Sequence, residues 1–166
     1  MKDRKIISYY LLGTFIAMGA ACGLTLLLDS VEIITQGTII GLILLSVGGL
    51  SSAVSGAVVL KKSGRISSYK ILVRDFFNVK QPIKYYLLIL SFLIISFGAY
   101  FISGKISADV KWYSFLIVFS ISILFGGIEE IGWRYTFQPT LEKYIPFEAA
   151  SVTTFFCWGI WHVMYF

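Results

Sequence analysis

The sequence predicts an all-α fold, a polytopic membrane helical bundle of about five transmembrane helices forming a single domain over residues 1–166. Three observations carry this. Of the 166 residues 57% are hydrophobic and 14% charged, with a mean hydropathy of +0.82, whereas a soluble domain carries about 25% charged and 45–50% apolar residues. Five apolar stretches each approach the ~20 residues that a helix needs to cross a bilayer. The alternating pattern of a transmembrane β-strand is absent, and in lipid only helices and closed barrels satisfy every backbone polar group.

The stretches run over residues 6–28, 33–60, 85–103, 112–138 and 147–166. The first follows Lys2, Arg4 and Lys5 in the manner of a signal peptide, but its apolar run exceeds the roughly 7–15 residues of a signal core. Gly19-Ala20-Ala21-Cys22 is a loose lipoprotein-type cleavage site in which Gly19 replaces the usual aliphatic residue, so an uncleaved span is expected. The second stretch is long enough to tilt. In both, small residues recur at helical spacing: Gly19 and Gly23, Gly37 and Gly41, then Gly48, Ser52 and Gly56. Such rows let helices approach closely in lipid. Packing within the chain is the simpler use, and a homo-oligomer through these faces the alternative. Cys22 and Cys157 lie inside spans as small buried hydrophobes, with no disulfide framework.

The net charge of +5 follows membrane topology, not a nucleic-acid footprint. Lys61, Lys62, Arg65, Lys70, Arg74, Lys80 and Lys84 crowd the segment between spans two and three, against Asp75 alone. The loop after span one carries Asp29 and Glu32. The excess of basic residues predicts a cytoplasmic N-terminus and a cytoplasmic segment 61–84 in a multi-pass cell-membrane protein, and with five spans in sequence the segment 134–147 is cytoplasmic too. The loop 104–111, with Lys105, Asp109 and Lys111, is basic by one charge on the expected outside and runs against the rule. Within 61–84, Ile71, Leu72, Val73, Phe76 and Phe77 alternate with basic residues, which fits either an interfacial amphipathic helix or a solvated loop.

The fourth stretch ends in Glu129-Glu130-Ile131-Gly132-Trp133-Arg134. A carboxylate inside a span costs about 2.5–3.5 kcal/mol on insertion scales, so an intramembrane pair marks a functional site by default. If the helix persists, Arg134 lies four residues beyond Glu130 on one face and pairs with it. Glu129 then points about 100° away around the helix. Two adjacent carboxylates do not both ionise easily, which suits one group to anchor and the other to accept a proton. The histidine, His162, lies in the fifth stretch, and imidazole is the side chain best suited to proton transfer or metal ligation. Glu129, Glu130 and His162 are the candidate ligands if a divalent metal such as zinc is used; their spacing differs from an HExxH helix. Counted at 1.5 Å per residue, Glu129 lies near the inner surface and His162 above the midplane. They share a level if the fourth helix continues to about Pro139 and the fifth begins with Pro146 in its first turn.

Glu-Glu-x-x-Trp-Arg followed by an aromatic-x-x-x-His motif, Trp158 to His162, resembles the CPBP family of CAAX proteases and bacteriocin-processing membrane proteins, also called the Abi family. The resemblance covers residues 125–166, with Trp158 where the family usually has Phe. It implies a multi-helix intramembrane endopeptidase in which Glu129 activates water beside Glu130, Arg134 and His162 complete the motifs, and a peptide or membrane protein is the substrate. Family members carry a further span with a second histidine and an Asn or Asp four residues on, which this sequence lacks. The expectation is therefore a truncated copy or a natural short variant with an incomplete site. A glutamate mechanism without metal is favoured slightly over zinc. A non-catalytic immunity or scaffold protein of the same family is the rival, and an ion or proton pathway through the Glu pair a third reading.

Overall fold

The computed structural model describes residues 2–34, 38–104, 111, 113–122 and 126–164. Among them every regular element is helical. The elements are α1 (Asp3–Ser30), α2 (Ile39–Gly49), α3 (Ser51–Lys62), α4 (Tyr69–Phe76), α5 (Ile83–Ile102), α6 (Ser114–Ser122) and α7 (Ile128–Gly132). A π-helical turn, Trp133–Phe137, follows, then α8 (Gln138–Leu141) and α9 (Phe147–Val163). Lys105 and Asp109 of the charge count, Gly37 of the small-residue row, and the expected span ends Trp112 and Phe166 lie outside the described residues.

Among the described residues, three helical segments are long and apolar enough to cross a membrane: Asp3–Ser30, Ile39–Lys62 and Ile83–Ile102. The stretch expected as one helix over 33–60 is two helices meeting at Leu50. The hydrogen bonds continue across the joint, from Leu50 N to Ser46 O and from Val54 N to Leu50 O, both at 3.0 Å. Gly48-Gly49 before it and Ser51-Ser52 after it are the residue pairs at which helices bend. The fourth and fifth stretches are helical over Ser114–Ser122, 126–141 and Phe147–Val163.

The described core forms where α1, α3 and the run α7–π–α8 meet, with α9 closing one side. Tyr10, Trp133, Phe137 and Trp161 are almost wholly buried there. Tyr10 stacks on Phe137 and meets Trp133 edge-on, each at 5.4 Å between ring centres. Small residues set the spacing. A Cβ on Gly56 would fall 2.9 Å from Gly132 Cα, and one on Gly48 2.8 Å from Met18 Sδ. A Cβ on Gly132 would collide with the Ser52 side chain and backbone. The rows at 48–56 thus serve packing within the chain. Gly23, by contrast, has no such neighbour within 4 Å. Helix α5 buries none of its residues, so its Leu, Ile and Phe side chains are left for lipid.

The basic segment resolves into an amphipathic helix. In α4, Leu72 packs with Leu60 and Ile66 while Lys70 and Arg74 remain exposed. Tyr135 Oη donates to Asp75 Oδ2 at 3.0 Å, tying the π turn to this element. At the same end of the bundle, Asp3 pairs with Arg65 and with Lys143 Nζ, the latter at 3.2 Å. Arg65 Nη1 also donates to Thr140 Oγ1 at 2.6 Å. The N-terminus, the 61–68 connection and the 142–146 turn therefore meet on one side of the bundle, three segments that the expected topology assigns to the same side.

Replacing Gly132 by Ala is expected to cost about 1–3 kcal/mol through overpacking against Ser52, while Gly23→Ala stays within about 0.5 kcal/mol. The apparent unfolding midpoints of the two variants in detergent check this.

Candidate active site

Local sequence places the two glutamates on different surfaces. Glu129 is buried, 8% exposed, and faces α9; Glu130 is half-buried and faces Arg134 one turn on. Arg134 Nε lies 3.3 Å from Glu130 Oε2, as the i,i+4 spacing requires, at ion-pair distance although that oxygen takes no hydrogen bond. Arg134 Nη1 donates to Gln138 Oε1 at 2.6 Å. Gln138 Nε2 in turn donates to Glu142 Oε1 at 2.9 Å and to Ser151 Oγ at 3.1 Å. One polar ladder, Glu130–Arg134–Gln138–Glu142, thus runs down the helix and reaches across to α9.

The π turn makes this run possible past a proline. A proline in a helix interior removes one hydrogen bond and clashes with the carbonyl four residues earlier. For Pro139 that carbonyl belongs to Tyr135, inside the π turn, where the widened backbone relieves the contact. Thr136 Oγ1 donates to Ile131 O at 2.8 Å across the same turn. The helix therefore ends at Leu141, two residues past Pro139, and Pro146 stands at the N-cap of α9, one position ahead of the expected first turn.

This hairpin brings the motifs to one level. Glu129 lies twelve residues before Leu141 and Trp158 eleven residues after Phe147. The two meet: Trp158 Nε1 donates to Glu129 Oε1 at 3.1 Å. One turn further, His162 Nδ1 lies 3.1 Å from the Trp158 carbonyl oxygen. Its ring packs on Trp158 at 4.0 Å between centres and meets Trp161 edge-on at 4.8 Å. Trp161 is anchored by its Nε1, which donates to Ser51 Oγ at 3.2 Å. On the opposite side, Ser52 Oγ donates to the Glu129 backbone carbonyl at 2.9 Å and shares a 2.8 Å hydrogen bond with Tyr10 Oη.

All four motif residues are thus carried by the continuous run of α7 and the π turn (Glu129, Glu130 and Arg134) and by α9 (His162). Glu130 belongs with Arg134, and Glu129 with Trp158 on the helix of His162. A metal is less well served. Among the described residues, no group of three or more His, Cys, Asp and Glu side chains stands close enough to hold one, so Glu129, Glu130 and His162 do not make a three-donor set for zinc. Ser52, Tyr10 and Gln138 take part in the site although the sequence pattern assigns them no role in it; it marks Ser52 only as a member of the small-residue row. Gln138 was legible, four residues beyond Arg134 and four before Glu142, a spacing that places all three on one helix face. Ser52 and Tyr10 carry no such signal, because their partners lie 77 and 42 residues away.

Residues 111–166 match the family described as type II CAAX prenyl endopeptidase Rce1-like. The match covers the segment that holds both motifs, and it bears out the resemblance to the CPBP family. No curated protein and no solved structure matches the chain.

Ser52→Ala leaves Glu129 O and Tyr10 Oη without this buried partner and is expected to cost about 1–3 kcal/mol. Ser52→Thr, which keeps the hydroxyl, separates loss of the hydrogen bonds from loss of packing when both are heated in detergent: a larger drop for Thr than for Ala identifies packing as the dominant constraint.

Proposed function

With residues 111–166 assigned to the type II CAAX prenyl endopeptidase Rce1-like family, we propose that the protein is an intramembrane endopeptidase in which Glu129 is the general base. One observation carries this: Arg134 is committed to Glu130, while the buried Glu129 turns its carboxylate to the helix that bears His162. In this reading Glu129 takes a proton from a water molecule, whose oxygen attacks the scissile carbonyl carbon. The proton then passes to the departing amine, with His162 assisting the transfer. The backbone carbonyl that Nδ1 faces only accepts hydrogen bonds, so in this reading Nδ1 donates to it and Nε2 is the nitrogen that relays the proton. The tetrahedral oxyanion needs donors aimed at it. Glu129 and Glu130 supply none when ionised, and Arg134 is engaged by Glu130 and Gln138.

The basic segments support an orientation with the N-terminus and the Asp3–Arg65–Lys143 end in the cytoplasm of a cell-membrane protein. Glu129 lies about 18 Å along the helix from Leu141, and in this reading cleavage takes place near the cytoplasmic side of the membrane. The substrate is a peptide or membrane-protein segment that enters from lipid. A glutamate mechanism without metal is the proposed reading, with a zinc-dependent one as its alternative.

The test is cleavage of a membrane-derived peptide library by the protein in detergent, read by mass spectrometry. Glu129→Gln is expected to lower the rate at least about 100-fold, the scale of a positioned general base. Full cleavage by Glu129→Gln overturns the assignment. Activity that survives chelation supports the glutamate mechanism, and activity abolished by chelation and restored by zinc overturns it. Protection of cells from a peptide toxin that persists unchanged in Glu129→Gln would instead favour the scaffold reading.

A further inference from the structure

We propose that Trp158 is a positioning residue for this reaction, one side chain and one carbonyl that together aim the Glu129 carboxylate and the His162 ring. The proposal rests on Glu129 being the base. Trp158 is the point at which the two motifs touch: its indole N–H donates to Glu129 Oε1, and its backbone carbonyl faces His162 Nδ1, each at 3.1 Å. A donor on a carboxylate makes one of the stronger classes of hydrogen bond, and at an 8% exposed residue water competes little for it. The carboxylate is therefore held at a fixed rotation about its own helix, with Oε1 turned to α9. The same residue sets the neighbouring imidazole, whose ring lies against the indole at 4.0 Å. Trp161, pinned to Ser51, closes on that imidazole edge-on.

A phenylalanine at position 158 would keep an aromatic face against His162 and leave the backbone carbonyl in place. It has no N–H, so it would leave Glu129 without this donor. The indole thus has a task that ring packing does not perform. Simple space filling predicts that Phe serves as well as Trp; a positioning role predicts a loss confined to turnover.

Two measurements separate these. The protein has four tryptophans, and indole-¹⁵N labelling in detergent micelles reports each N–H, with that of Trp158 identified by its absence in Trp158→Phe. In Glu129→Leu the Trp158 proton resonance is expected to move upfield, while that of Trp161, bonded to Ser51, stays in place and reports an intact fold. A Trp158 resonance that does not move overturns the hydrogen bond. In the cleavage assay, Trp158→Phe is expected to lower kcat about tenfold with KM changed by less than about twofold, the scale of one hydrogen bond to a charged group. Unchanged kcat, or a loss that falls on KM, overturns the positioning role. A wild-type protein that cleaves no peptide overturns the endopeptidase reading instead, and the indole resonance then decides the Trp158–Glu129 bond independently.

Discussion

The contact between α3 and α7 is the constraint on which the rest of the described structure depends. Gly56 and Gly132 let two backbones approach until Ser52 Oγ reaches the Glu129 carbonyl at 2.9 Å. In lipid there is no hydrophobic gain from moving a helix out of apolar solvent, so association depends on close van der Waals packing and on hydrogen bonds between helices. Both are found at this seam. Once α7 is seated, Glu129 has its backbone tied to α3 and its side chain directed at α9, which leaves the carboxylate little freedom to rotate away.

The aromatic cluster gives that seam its rigidity. Tyr10 of α1 bonds Ser52 and packs on Trp133 and Phe137, so the helix nearest the N-terminus supports a site more than 100 residues away. Trp133 meets Trp161 at 6.0 Å, and Trp161 contacts both Ser51 and His162. The path from α1 to the imidazole is a continuous set of fully buried rings. Such rings have few rotamers to lose and large contact areas, which suits them to holding a catalytic geometry in a medium that offers no hydrophobic drive between helices. At the cytoplasmic end proposed above, Asp3, Arg65, Thr140 and Lys143 close the same bundle with charge instead of rings.

The helical class, the membrane setting and the two motifs were legible because each is written in local pattern. Apolar runs report spans by length alone, and Glu130 to Arg134 reports a salt bridge through the pitch of a helix. The register between motifs was not legible in the same way. Counting from the expected span ends put Glu129 and His162 at different depths, and the π turn and the exact ends at Leu141 and Phe147 decide where Glu129 falls relative to α9. A π turn adds one residue to a turn without a sequence signature of its own, although a proline two residues later is a hint that backbone strain must be relieved there. The break at Leu50 and the amphipathic α4 were half-legible: Gly-Gly and Ser-Ser flank the first, and basic-apolar alternation marks the second without deciding between helix and loop.

By itself the sequence determined that the chain is helical and membrane-embedded, that Glu129, Glu130, Arg134 and His162 are its unusual polar residues, and that Arg134 belongs to Glu130. These follow from composition, hydropathy and a periodicity of 3.6, all of which act within one helix. Only the tertiary structure decided that Trp158 receives the Glu129 carboxylate and that Ser52 and Tyr10 brace it from α3 and α1. Those depend on how helices far apart in sequence are placed side by side. That placement is set by glycine contacts and ring packing, whose partners no local pattern names.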